Sequence, residues 1–364
     1  MTHRRGAAQT ASAPQTALSA IARFCPKPPD TRSGTGGFEV FCAELFWYAD
    51  GVPTSVRDTI TMALFHSLIR KPIDWLRSHP AAARIALKCT PDVHLHLHIP
   101  EIGRLRIRLR RNRSLWLRRD PLRLERYPLA ILRAIVRPTD VVWDVGGNIG
   151  LYSRWLVTHL NVGHVCTFEP MSENLPELEY NIRKGSISDR VTISPWALSD
   201  VDGEVEFQVD DVQSASGSVS SVTNGAASPG RRAIGLPPKT EIVRSRTIDS
   251  IIAARSLPPP DVLKIDVEGA ERLLLEGGRM YFDAASPRLL IETHGLEVSQ
   301  ECIDFLLNHN YFVAVCVDET VNPRRQEILD RDFRSRIKSR FDAHYIVAAK
   351  DAEAIPLKID GSAL

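Results

Sequence analysis

The stretch "VVWDVGGNIGLYSRWL", Val141 to Leu156, constrains the fold of this chain more than any other. Val141, Val142 and Val145 are β-branched and surround Trp143, the composition of a strand covered on both faces. Gly146, Gly147 and Gly150 then let the backbone turn sharply and pass close to a ligand without side-chain obstruction. The helix that follows directs its unpaired N–H groups at the same point. From Arg137 onward, apolar strands keep alternating with helical segments. That order predicts an α/β domain with a doubly wound, mostly parallel, Rossmann-like sheet.

The turn reads D-x-G-x-N-x-G, through Asp144, Gly146, Asn148 and Gly150. A dinucleotide fingerprint would place its second glycine where Asn148 stands. Asp144, at the strand end, would repel a pyrophosphate but suits a ligand with an ammonium and a sulfonium, as S-adenosylmethionine has. "HVCTFEP" is a second strand ending in Glu169, 25 residues after Asp144. A carboxylate there can accept hydrogen bonds from the hydroxyls of a ribose. Pro170 and Met171 follow, where an apolar surface can pack on adenine. "VTISPWALSD" reads as a third strand bringing Trp196 and Ala197 to the same edge. The expected cofactor contacts are thus Asp144, Gly146, Asn148, Gly150, Glu169, Pro170, Met171 and Ala197.

"PPPDVLKIDVEGAERLLLEGG" predicts a buried strand over 261–267 and a helix over 269–276. Lys264, Asp266, Glu268 and Glu271 crowd that junction, and Glu271 reads as an acid favouring a helix N-terminus. "PRLLIETHG" is a further strand ending in Glu292 and His294. Charges at the carboxyl ends of such strands lie in the ligand crevice. The candidate catalytic residues are therefore Asp266, Glu268, Glu292 and His294. His294 is the expected base, because its ordinary pKa is near neutral, with Glu292 or Asp266 orienting it. A divalent metal held by Asp266, Glu268 and Glu292 is the less favoured alternative.

The segments "DVGGNIGLYSRWL", "TFEPMSENLPELEYNI", "WALSDVDGEVEF", "LKIDVEGAERLLLEGG" and "LLIETHG", in this order, resemble the FkbM-type family of S-adenosylmethionine-dependent methyltransferases. The resemblance runs from about 137 to 348, and "KIDVEGAE" and "FEP" are its most specific pieces. It implies a class I methyltransferase fold and methyl transfer to a hydroxyl on a sugar, lipid or polyketide-type acceptor. It carries Asp144, Gly146, Asn148, Gly150 and Glu169 over as cofactor contacts, and Asp266 and Glu268 as the edge of the active site. Gly147 stands where such motifs often have alanine, which reads as a conservative change.

The remaining chain divides by composition. Residues 1–36 are rich in Ala, Ser, Thr, Pro and Gly and read as a disordered tail. Residues 37–136 form an accessory region: "SVRDTITMALFHSLIRKPIDWLRSHP" has helical spacing broken by Pro72, and "VHLHLHI" with "LRIRLR" alternates as a β-hairpin. The methyltransferase-like domain follows over 137–350, then a short tail over 351–364. The hairpin continues into "RLRIRLRRNRSLWLRRD", where Arg104, Arg106, Arg108, Arg110, Arg111, Arg113, Arg118 and Arg119 flank Trp116. Such a segment could track a nucleic-acid backbone or serve as a partner- or membrane-surface adaptor. The expectation here is that Leu105, Ile107 and Leu109 pack on the catalytic domain while the arginines face an anionic acceptor or surface. The net charge of +2 argues against a polyanion-binding protein, and no Asn-Pro-Pro-Tyr type base-methylating motif is present. His94, His96 and His98 read as an exposed polar face. "QSASGSVSSVTNGAASPGRRAIGLPPK", 213–239, reads as a mobile lid or acceptor-binding loop, with Arg231 and Arg232 available to an anionic acceptor. Six scattered cysteines without a CxxC pair, no secretory signal and no long apolar run give the expectation of a soluble, cytoplasmic enzyme. Its expected partner is a small-molecule, glycan or lipid acceptor.

Overall fold

The computed structural model describes residues 92–112, 115, 122, 125–212, 216–223, 226–317, 326–329 and 343–355. The expected tail at 1–36, the helical part of the accessory region, the Trp116 arginine cluster (Arg113, Arg118, Arg119) and residues 356–364 lie outside these. In chain order, a hairpin of β1 (His94–Ile99) and β2 (Gly103–Arg108) leads through α1 (Arg126–Ile135) into β3 (Val141–Val145), α2 (Leu151–His159), β4 (His164–Phe168), α3 (Leu175–Lys184) and β5 (Val191–Ser194). The short β6 (Ala197–Leu198), β7 (Gly203–Asp210), β8 (Ser216–Val219) and β9 (Thr240–Arg246) come next. Then follow α4 (Ile248–Ala253), β10 (Val262–Ile265), α5 (Glu271–Glu276), α6 (Arg279–Ala284), β11 (Arg288–Glu292) and α7 (Leu296–Asn308). The last strands are β12 (Phe312–Val317), β13 (Gln326–Leu329) and β14 (Ala343–Ala349).

Eight strands form one sheet in the order β13-β12-β14-β11-β10-β3-β4-β5. The run from β11 to β5 is parallel, and β14, β12 and β13 add antiparallel pairs at one edge. Alternate residues of each central strand serve opposite faces. Val142, Val165, Val262 and Leu290 pack with Leu132 of α1, Trp155 of α2 and Ile182 of α3. Trp143, Phe168, Leu263 and Leu289 pack with Ile251 of α4, Leu274 of α5, Phe282 of α6 and Leu306 of α7. Helices therefore cover both faces, as the predominantly apolar strands require.

The hairpin forms as its alternation predicts, and Leu97, Ile99, Leu105 and Ile107 enter the same core as Trp155 and Leu156. Burial of each such side chain contributes about 1.5–3 kcal/mol. Its polar face is also occupied. His94, Arg106 and Arg108 all reach the buried Glu177 of α3, at 2.8, 2.5 and 3.0 Å. The Arg106 guanidinium lies 3.5 Å from the centre of the Tyr180 ring. Asn181 accepts from the Arg106 N–H at 2.7 Å and donates to its carbonyl at 2.9 Å, which covers the open edge of β2. Arg111 pairs with Glu173 and Asp92. The expectation that Arg104, Arg106 and Arg108 face an acceptor is therefore corrected for Arg106 and Arg108, whose charge is met inside the protein. Arg104 is exposed.

Two further expectations change. The third strand ends at Ser194, and Ala197–Leu198 instead pairs with β9 in a separate sheet of order β6-β9-β7-β8. The segment 213–239 supplies β8 and two short helical turns rather than one open loop, with 213–215 and 224–225 outside the described residues. Asp210 anchors it through Gly230 N at 2.7 Å, and Arg231 is buried against Asp211 at 2.5 Å. Arg231 is thus not available to an acceptor. Phe207, Val209, Val219 and Val243 of this second sheet pack on Met171, Ala197 and Ala270, so the sheet grips the loops that follow both β4 and β10.

Candidate active site

The strand order reverses between β3 and β10, which places a ligand crevice at their carboxyl ends. The backbone there is pressed close. Gly146 has φ +83, and a Cβ on it would stand 1.9 Å from the carbonyl oxygen of Asp266. Both Gly146 N and Gly147 N donate to the carbonyl of Phe168, at 3.0 and 2.9 Å. Gly147 is not interchangeable with alanine, since its Cβ would lie 2.2 Å from Cγ2 of Thr167. Gly150 starts α2 with φ +88, and Asn148 bends the turn with φ +50.

Glu169 stands at the tip of β4, nearly fully buried. Oε2 accepts from Asn148 N at 2.8 Å and Oε1 from Met171 N at 2.9 Å, so one carboxylate fixes both the glycine turn and its own loop. The Asn174 side chain donates a third hydrogen bond to this carboxylate, which leaves one lone pair for a ligand hydroxyl. Burial pushes its pKa up to about 7, against the two backbone hydrogen bonds, with Asp144 adding repulsion. Pro170 remains half-exposed beside it, whereas the Met171 and Ala197 side chains are enclosed under the second sheet. Of these three, only Pro170 is partly exposed.

Asp144 is fully buried beneath the turn. Oδ2 accepts from Ser153 Oγ at 2.6 Å, and Oδ1 has no hydrogen-bond donor among the described residues but faces Lys264 Nζ at 3.6 Å. The ammonium facing Asp144 is therefore that of Lys264, not an open ligand position as expected. Lys264 lies opposite Asp144 in the β3–β10 register and also binds Asp266 Oδ2 at 3.2 Å. Its Nζ sits 4.4 Å from the centre of the Tyr152 ring, whose hydroxyl donates to Glu125 at 2.5 Å. Burial opposes the charge of Lys264, but Asp266 and Asp144 outweigh it and hold the ammonium firmly protonated.

Across the crevice, Glu268 has φ +53 and Gly269 φ +102, a tight turn between β10 and α5. The β10–β11 pairing brings this turn beside His294. His294 Nδ1 lies 2.7 Å from Oε1 of Glu271, which is fully buried. Its Nε2 faces Glu268 Oε2 at 3.6 Å and Asp266 Oδ1 at 3.9 Å. Glu271 therefore orients His294, in place of the expected Glu292 or Asp266. Burial alone would lower the His294 pKa, but the Glu271 hydrogen bond and the charges of Glu268 and Asp266 raise it to about 10. With that surrounding, His294 is not the neutral base that its residue type suggests. Asp266, Glu268 and His294 each offer one ligand atom, all within 4.8 Å of one another. Glu292 stands outside that group; burial pushes its pKa up, and Asp266 adds to the effect. Its charge acts on Lys264 and Tyr152.

The structure thus brings Asp266, Glu268 and His294 together and places Gly146, Asn148, Gly150 and Glu169 around the neighbouring turn. Glu271, Lys264 and Tyr152 are the contributors whose roles the sequence did not reveal. Only Lys264 had a signal, a lysine inside an otherwise apolar buried strand.

A parallel sheet with a glycine turn after its first central strand and an acid at the tip of the next is the architecture of class I methyltransferases. A profile of the methyltransferase FkbM domain matches residues 144–334, just over half of the chain. The chain belongs to the FkbM methyltransferase family. It is 29% identical over 168 residues to the hexuronic acid methyltransferase AglP of Haloferax volcanii, covering 45% of this chain and 60% of that one. It is 29% identical over 185 residues to the AMB antimetabolite synthetase AmbE of Pseudomonas aeruginosa, covering 44% of this chain and 9% of that one. It therefore spans less than two thirds of either relative. A crystal structure of methyltransferase FkbM from Methylobacillus flagellatus KT overlaps 58% of this chain and 44% of its own, with 18% identity and a TM-score of 0.38.

Proposed function

We propose that this methyltransferase transfers a methyl group from S-adenosylmethionine to a hydroxyl of a sugar-containing acceptor, including glycolipid or secondary-metabolite glycans. The observation that carries the reading is the convergence of Asp266, Glu268 and His294 next to the glycine turn and Glu169 at the point where the strand order reverses. The name of the Haloferax relative, a hexuronic acid methyltransferase, supports a sugar acceptor.

The residues fit the cofactor on two counts. Glu169 keeps acceptor capacity at the position of a ribose, and Gly146 has no room for a Cβ beside Asp266, so the turn presents bare backbone. Gly146, Asn148 and Gly150 would shape the turn around it, and Pro170 would meet the adenine. When bound, S-adenosylmethionine supplies an activated methyl group on a good leaving group. What remains for the chain is alignment, exclusion of water and removal of the acceptor's proton. Asp266 and Glu268 would receive the hydroxyl, and a positioned proton acceptor is worth about 10²- to 10⁴-fold. Lys264 would hold Asp266 in place.

A nucleic-acid acceptor is not favoured, because Arg106, Arg108 and Arg111 already face Glu177, Asp92 and Glu173. No helix among the described residues is long and apolar enough to cross a membrane. Because the hairpin shares its core with α2 and α3, we also take the folded methyltransferase unit to include the hairpin rather than to begin at 137. Calorimetry tests the cofactor half. S-adenosylhomocysteine should bind, and Glu169→Ala should weaken it by about 1.5–3 kcal/mol, the scale of hydrogen bonds to a charged group. Binding of a nicotinamide dinucleotide in its place would overturn the reading.

A further inference from the structure

We propose that Asp266, Glu268 and His294 form a binding site for one divalent cation, Mg²⁺ or Mn²⁺, at the acceptor side of the crevice. The inference deepens the methyltransferase reading and rests on it only for the ion's role.

The geometry starts from His294. Its Nδ1 is engaged by the fully buried Glu271 at 2.7 Å, so Nε2 points the opposite way, into the crevice. There it meets Glu268 Oε2 at 3.6 Å and Asp266 Oδ1 at 3.9 Å. Those separations are too long for hydrogen bonds. They suit ligand atoms around an ion: with bonds of about 2.1 Å, ligands stand about 3 Å apart at right angles and about 4.2 Å apart across the ion. A histidine whose far nitrogen is held by a carboxylate is also the usual outer-shell arrangement of a metal ligand, because it fixes the ring and its tautomer.

An independent observation comes from Glu271 itself. Its Oε2 is buried and has no hydrogen-bond donor among the described residues, although Oε1 takes both His294 Nδ1 and Gly269 N. A buried carboxylate left half-satisfied needs positive charge close by. Protonated His294 supplies part of it, through Oε1 only, and Lys264 supplies none, since it lies between Asp144 and Asp266 Oδ2. An ion between Nε2, Asp266 and Glu268 would displace the Nε2 proton to solvent and set its own charge on the far side of the ring that Glu271 holds. Two carboxylates and one imidazole, with no thiolate, suit a hard or borderline ion. Placed there, it would lower the pKa of an acceptor hydroxyl.

The test uses the full chain, stripped with a chelator and free of cofactor, titrated with Mn²⁺ while electron paramagnetic resonance reads the free ion. One Mn²⁺ per chain is expected, displaced by excess Mg²⁺. Asp266→Asn and Glu268→Gln should each abolish that site, and Glu271→Gln should weaken it about 10- to 100-fold as loss of an outer-shell partner does. Glu297→Gln, an exposed acid at the start of α7, should leave it unchanged. Glu268 lies on a half-exposed turn, so its variant remains informative should Asp266→Asn fail to fold. Absence of stoichiometric binding, or binding unaltered in Glu268→Gln, overturns the site and leaves His294 as an imidazolium paired with its carboxylates. Binding of S-adenosylhomocysteine, measured separately, keeps this outcome apart from failure of the methyltransferase reading.

Discussion

Two regions of this protein are dense in charge, and they use it in opposite ways. On the hairpin, His94, Arg106 and Arg108 converge on a single buried acid, Glu177, and burial is outweighed so that these partners hold its pKa below the usual carboxylate range. At the tips of β10 and β11 the balance is reversed, with Asp266, Glu268 and Glu271 around one histidine. The first arrangement is closed and structural. The second keeps an excess of acid facing a crevice, which is where an acceptor proton or a cation can be managed. In this protein, the charged run met by one buried acid is structural, and the one that keeps an excess of acid faces the crevice.

The largest expected effect breaks the comparison on the structural side. Glu177→Ala removes the shared acid from its three bases, and loss of one partner of a buried pair costs about 3–5 kcal/mol. Thermal or denaturant unfolding should show that drop, while the rate per folded molecule stays within a factor of two or so of the parent. A rate that collapses together with stability would mean that the hairpin contributes to the crevice directly.

Glu268→Gln sharpens the other side. It should cut kcat about 10²-fold, the lower range for a positioned proton acceptor, and leave stability within about 0.5 kcal/mol because the residue lies on a half-exposed turn. Steady-state kinetics beside an unfolding curve decides it; an unaltered kcat would remove Glu268 from the chemistry.

Gly147→Ala tests the packing of the turn between these regions. The new Cβ meets Thr167, and overpacking of this kind costs about 1–3 kcal/mol. Thr167→Ser removes the obstructing methyl while keeping the hydroxyl at 2.5 Å from Ser153 Oγ, so the double variant should recover most of the loss. Equal stability of the single and double variants would contradict the contact.

The smallest effect is a pH dependence at Glu169. Its folded pKa of about 7 lies above the ordinary 4.5, so the native state takes up a proton that the unfolded chain does not, between those two values. Stability from this group therefore rises as pH falls from about 7 towards 4.5. Cofactor binding runs the other way, since a ribose donates to the ionised form. Affinity for S-adenosylhomocysteine should fall about tenfold from pH 8 to pH 6, and Glu169→Gln should flatten the profile. A pH-independent affinity in the parent protein would show that the ribose is held elsewhere.

The sheet was legible in the sequence because its signals are local. Val141–Val145 and Val262–Ile265 are apolar runs interrupted only by Asp144 and Lys264, and the alternation at 94–108 names which hairpin face is buried. Their pairing was also accessible, because strand–helix–strand units restrict topology strongly. The roles that the sequence did not reveal depend on partners far along the chain. Glu271 reads as a helix-terminus acid until the fold brings in His294, 23 residues later. The hairpin arginines read as a binding surface until Glu177, about 70 residues away, lies beneath them. Met171 follows the tip of β4 as expected, yet a second sheet formed by β6 to β9, to which Ala197 itself belongs, covers it, and no local pattern announces that cover.

The measurement that tests the account most directly follows a ¹³C-labelled methyl group from S-adenosylmethionine into glycan acceptors by NMR, with the parent protein and Asp266→Asn side by side. The account predicts that the label appears as an O-methyl group on a sugar, and that Asp266→Asn loses this signal while still binding S-adenosylhomocysteine. Label arriving on nitrogen or carbon, or an O-methyl signal undiminished in Asp266→Asn, would contradict it.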